Sequence, residues 1–161
     1  MEQFVEMFLL GLCNFFLGPI IIMSGMQPEL DRYQVKLEDN NDNQNILVEY
    51  FPVFFSHICM LLCCSISGIC AIFASTLDDA EWVIRLAKVA KFFSKTSFWL
   101  VAWIIFHNWD PMEWKTLVTL PEKWVTIEVS IPTWCYCFLG QKYFVSRYTE
   151  FINEKQNEVE D

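Results

Sequence analysis

The chain has 161 residues, 54% of them hydrophobic and 17% aromatic, and carries a formal net charge of −9. The acidic balance excludes a nucleic-acid binder, which needs a basic footprint, and the length leaves little room for a separate soluble domain. Charges gather between long apolar runs instead of recurring at helical period, which excludes an ordinary soluble helical domain and predicts an all-α polytopic membrane protein, a four-transmembrane-helix bundle.

The first apolar run covers 4–26, near the ~20 residues a bilayer core requires. Its N-terminal flank holds Glu2 and Glu6 but no Lys or Arg, and no small-x-small cleavage pattern follows. It therefore reads as a retained transmembrane helix and not as a signal peptide. Glu6 sits where it can reach water and favour the positive end of the helix dipole. Residues 27–50 follow as a polar external loop, with the run Glu38-Asp39-Asn40-Asn41-Asp42-Asn43-Gln44-Asn45 having little to bury.

The second run covers 52–76. His57, one turn in, can stay neutral and hydrogen-bond a neighbour. Ser67, Ala71 and Ser75 recur every four residues with Gly68 alongside, and small residues at that spacing let another helix approach closely. The face serves either internal packing or docking of a partner; a four-helix protein must bury some face, which favours the first.

Between the second and third runs, Thr76 with Asp79 three residues on makes a helix N-cap, and Asp78, Asp79 and Glu81 suit the first turn. Trp82, Leu86, Val89 and Phe93 then share one face, with basic Arg85, Lys88, Lys91 and Lys95 along the same stretch. That pattern predicts a short amphipathic cytoplasmic helix on the membrane surface, or else a plain extension of the third span at 92–109. Trp109, Trp114 and Trp124 bracket a tight external turn holding Asp110-Pro111, with rings suited to the headgroup level.

The fourth run covers 124–143 and contains Glu128 and Pro132, the proline freeing the carbonyl one turn back at Glu128. A carboxyl beside a proline kink is either a proton relay or ion site, or a protonated packing residue. No internal repeat or paired broken helix of the transporter kind accompanies it, which weighs toward packing. Residues 148–161 read as an acidic cytoplasmic tail.

Seven of the eleven Lys and Arg fall on the side of the termini, so the positive-inside rule places both termini in the cytoplasm. All seven cysteines lie within the apolar runs, where they act as small packing residues and not as a disulfide framework. Glycine-rich phosphate loops, His-Glu-x-x-His, nucleophile elbows and ligand-spaced His, Cys or carboxylate sets do not occur in the sequence. The expectation is a protein that is not an enzyme, with no cofactor, metal or small-molecule substrate, and with the lipid bilayer as its first partner.

Phe106-x-x-Trp109-Asp110 at the close of the third run, Trp114 in the following turn, Glu128 in the fourth run and Ser67-Gly68 followed by Phe73-x-Ser75-Thr76 together resemble the tetraspan ciliary membrane family of transmembrane protein 107. The resemblance covers about Ile46 to Gly140. It implies a non-enzymatic component of the ciliary transition zone. Such a component assembles with other transition-zone membrane and coiled-coil proteins, supports ciliogenesis and limits which membrane proteins enter the cilium. An accessory or assembly subunit of another organellar membrane complex is the alternative, and a small proton-coupled transporter using Glu128 is a second.

Overall fold

A computed structural model describes residues 2–24, 34, 43–107 and 135–160. Among them the chain is almost entirely helical, without strands. Helix α1 runs from Glu2–Leu12 through a π-helical turn at Cys13–Leu17 and on to residue 24. Helix α2 is Asn43–Thr76 and α3 is Ala80–His107; α4 opens with a π-helical turn at Tyr136–Gly140 and continues as Gln141–Glu160. Two segments, Gln3–Ser24 and Phe54–Thr76, are long and apolar enough to cross a membrane.

The helices pack in chain order, α1 on α2, α2 on α3 and α3 on α4, with α4 closing back on α1. Paired contacts show that neighbours are antiparallel. Asn14 meets Ser67 while Gly18 meets Cys64, and Ser67 meets Ser94 while Cys64 meets Ser97. On α4, Gln141 reaches Asn14 and Arg147 reaches Glu6. The start of α1 and the end of α4 therefore lie at the same end of the bundle.

Several boundaries differ from expectation. Helix α2 begins at Asn43, so the end of the expected 27–50 loop is helical. The acidic segment 148–161 is helical to Glu160, and Tyr148, Phe151 and Ile152 are buried in the core. Of the two readings of the stretch before the third run, a separate amphipathic helix and a plain extension, the structure has the extension: it is the first part of α3, continuous through 28 residues or ~42 Å.

The inward face of α3 is set by small residues. Val83, Ala87, Ala90, Ser94, Ser97 and Val101 are buried, at alternating three- and four-residue steps, whereas Trp82 and Val89 point outward. The small residues go inward because they let α2 approach. In a bilayer, lipid tails accept the large apolar side chains as readily as a core does. Phe92, Trp99 and Trp103 on α3, like Phe16 and Ile20 on α1 and Leu62 and Phe73 on α2, are all more than half exposed.

The connection from α2 to α3 is only Leu77–Asp79. Asp79, not Thr76, caps α3: its Oδ1 accepts from the backbone N–H of Glu81 at 3.0 Å and of Trp82 at 3.4 Å. Thr76 instead donates back to the Phe73 carbonyl and belongs to the last turn of α2. Asp79→Ala should cost about 1 kcal/mol of stability, read as a lowered midpoint of thermal unfolding in detergent.

Candidate functional site: a polar layer across the bundle

The buried apolar residues form two clusters. One, towards the charged end, holds Met7, Leu10, Val83, Phe144, Tyr148 and Phe151 with small residues of α2 and α3; the other holds Ile22, Met60, Cys64, Val101 and Cys137. Between them every helix contributes buried polar side chains: Asn14 from α1, Ser67 from α2, Ser94 and Ser97 from α3, and Gln141 from α4.

Asn14 is the hub. Its Nδ2 donates to Ser67 Oγ at 3.0 Å and Ser94 Oγ at 3.2 Å. Its Oδ1 accepts from Tyr136 Oη at 2.9 Å and from Gln141 Nε2 at 2.7 Å. Ser67 and Ser94 are 2.8 Å apart, and the Ser67 hydroxyl donates onward to the Ala90 carbonyl at 2.9 Å. Cys64 and Ser97 extend the layer, 3.4 Å apart. All four helices are thereby tied at one level, with each polar group of Asn14 bonded to two partners.

Two local distortions build this layer. The π turn at Cys13–Leu17 holds Asn14, and the one at Tyr136–Gly140 begins with Tyr136 and ends beside Gln141. A π turn inserts one extra residue and re-aims the side chains that follow; such turns occur often at functional positions. The carbonyl of Cys13 accepts both the Gly18 N–H and, at 3.2 Å, the Tyr136 hydroxyl. Two buried atoms, Gln141 Oε1 and Tyr148 Oη, have no hydrogen-bond partner among the described residues.

Just below the layer, α1 and α2 touch backbone to backbone. A Cβ on Gly68 would lie 2.6 Å from the Phe15 nitrogen and 2.7 Å from the Gly11 oxygen; one on Gly11 would lie 2.9 Å from the Gly68 oxygen. Gly68 is thus where the sequence pattern of small residues meets α1. Ser67 turns to α1 and α3, Ala71 is fully buried, and Ser75 donates to the Ile72 carbonyl of its own helix.

At the charged end, Arg147 bridges to both oxygens of Glu6 (Nε to Oε1 at 2.5 Å) and also pairs with Glu150. Phe4 packs edge-on against Phe151 at 5.8 Å, with Lys155 4.6 Å above its ring. A cleft of about 250 Å³ opens beside these groups, between α1 and α4. Glu6 and Arg147 remain about one-third exposed, so Glu6→Gln should cost no more than about 1 kcal/mol, and less at high salt. Thermal unfolding at two ionic strengths checks this.

The remaining expected residues fall as follows. Arg85, Lys88, Lys91 and Lys95 lie along α3, and Arg85 pairs with Glu81. Phe106 lies in the last turn of α3. Trp109, Asp110, Trp114, Glu128 and Pro132 lie outside the described residues. Asn14 and Gln141 are the residues sequence reasoning missed. Their signal is a neutral carboxamide in the middle of one apolar run and another near the end of a second, which carries no charge to mark it as costly in an apolar segment.

Comparison with protein-family models, characterised proteins and solved structures yields no match to this chain.

Proposed function

We propose that the protein is a non-enzymatic, four-span membrane scaffold, and that it serves at the ciliary transition zone, where it supports ciliogenesis and selects ciliary membrane proteins by recruiting partners. The observation that carries the scaffold reading is the polar layer. Inside a bundle that exposes large apolar side chains along α1, α2, the second half of α3 and the start of α4, the buried polar groups spend most of their hydrogen bonds on one another across all four helices. Such bonds hold helices in register within a membrane, which suits a rigid platform. The start of α1 and the end of α4 lie together at the charged end of the bundle, which supports placing both on one side, the cytoplasmic one in this reading.

The ciliary assignment rests on the resemblance carried by Phe106, Trp109, Asp110, Trp114 and Glu128. Transition-zone membrane and coiled-coil proteins are its proposed partners. The test has two steps. Alkaline carbonate should leave the protein in the membrane pellet, and tagged protein at its native locus should form a spot or ring just distal to the basal body. Release by carbonate overturns the membrane scaffold. Membrane retention with mitochondrial or endoplasmic-reticulum signal leaves the scaffold and assigns it to another organellar complex.

A further inference from the structure

Seven cations lie among the described residues, and three of them are neutralised: Arg85 by Glu81, Arg147 by Glu6 and Glu150, and Lys155 by Glu158. The other four are Lys88, Lys91, Lys95 and Lys142, which make no ion pair with any described residue. They are not scattered. Phe98 of α3 stacks on Phe138 of α4 with centroids 4.7 Å apart, which fixes the facing flanks of the two helices. Lys91, Lys95 and Phe98 follow one another at four- and three-residue steps, so they share that flank of α3. Lys142 is one turn beyond Phe138 on α4 and, in this antiparallel pair, comes level with Lys95. Lys88 extends the same line one turn towards the charged end.

Among the described residues, the stretches of α2, α3 and α4 at this level carry no carboxylate. The sequence has no Asp or Glu from 82 to 107 on α3, from 54 to 76 on α2, or from 135 to 149 on α4. In a chain of net charge −9, a helix–helix seam, a shallow groove by its position, flanked by four lysines without an ion pair among the described residues is a local reversal of sign. Lys88, Lys95 and Lys142 are exposed and Lys91 is half-buried, so their stems lie along the helices with the ammonium groups free to reach outward. Towards the bundle's other end the groove turns apolar, with Phe138 40%, Trp99 61% and Leu139 62% exposed. Cations above and aromatic and aliphatic surface below complement the two halves of an anionic phospholipid, its headgroup and its acyl chains.

Building on the membrane reading, we propose that the groove between α3 and α4 binds an anionic phospholipid of the leaflet at the charged end. Lys91, Lys95 and Lys142, helped by Lys88, hold the headgroup, and the acyl chains run over the Phe98–Phe138 stack. Charge complementarity selects an anionic lipid over a zwitterionic one, because each lysine near the surface contributes to attraction for negative headgroups.

The test uses full-length protein reconstituted in nanodiscs of phosphatidylcholine and phosphatidylserine, with retained lipid quantified by native mass spectrometry after release. The wild type should retain phosphatidylserine about fivefold above the bulk ratio, the factor a single well-placed lysine supplies. The variant K91Q/K95Q/K142Q should retain the bulk ratio, and R85Q, which removes a paired cation from the same helix, should behave as wild type. Bulk-ratio retention by the wild type, or enrichment that survives in K91Q/K95Q/K142Q, overturns the proposal. Failure to incorporate into nanodiscs at all overturns the membrane reading itself, and so is distinct from incorporation without enrichment.

Discussion

Asn14→Leu should destabilise the bundle by about 3 kcal/mol. The substitution removes four interhelical hydrogen bonds at once, from Ser67, Ser94, Tyr136 and Gln141. Interhelical bonds in membranes average about 0.6 kcal/mol each. The loss exceeds that part because Gln141 Nε2 keeps only a 3.6 Å contact to Cys64 Sγ, and a buried donor without a good acceptor costs about 1–3 kcal/mol. Tyr136→Phe should cost only about 1 kcal/mol, since Asn14 Oδ1 retains Gln141 as donor. Thermal unfolding in detergent, followed by helical circular dichroism, ranks the variants. If Asn14→Leu matched Tyr136→Phe, the hub role of Asn14 would be refuted.

Gly68→Val should be as damaging or worse, at about 3 kcal/mol or more, and should prevent the protein from accumulating folded in membranes. The atoms a Cβ would meet at 2.6 and 2.7 Å are the backbone nitrogen of Phe15 and the backbone oxygen of Gly11, which cannot rotate away. Helices α1 and α2 would have to separate. That overpacking costs about 1–3 kcal/mol in a soluble core, and here it would also stretch the adjacent Asn14–Ser67 bond. Gly140→Ala is the matching control. Its added Cβ would meet nothing closer than 3.6 Å, on the Tyr136 ring, so the change should be neutral or slightly stabilising through helix propensity. Similar losses for Gly68→Val and Gly140→Ala would refute the close approach of α1 and α2.

Much of the helical content was legible from the apolar runs, since length and composition alone mark 3–24 and 54–76 as membrane-spanning candidates. The small-residue pattern in α2 led to Ser67 and Gly68, where α2 does meet its neighbours. Orientation within α3 was not legible. The sequence marks the stripe of Trp82, Leu86, Val89 and Phe93, of which Trp82 and Val89 lie exposed, but nothing in it marks Val83, Ala87 and Ala90 as the residues that turn inward. The identity of the α3 cap shifted by three residues for a simpler reason. Thr76 and Asp79 both fit the local pattern, and only the position at which α2 ends decides between them.

The sequence by itself determined the helical class, the apolar runs, the segregation of charge and the absence of familiar catalytic motifs, because those follow from composition and spacing along one dimension. The tertiary structure alone decided that Asn14, Ser67, Ser94, Tyr136 and Gln141 form one layer, and that Phe98 of α3 stacks on Phe138 of α4. Hydrophobicity points a helix's face inward only when water is outside. Large apolar side chains lie on both faces, Phe144 and Phe151 buried and Phe92 and Trp99 exposed, so which face goes in is set by the size and hydrogen-bonding of small and polar residues on partners far away in the chain, and no reading of a single segment contains them.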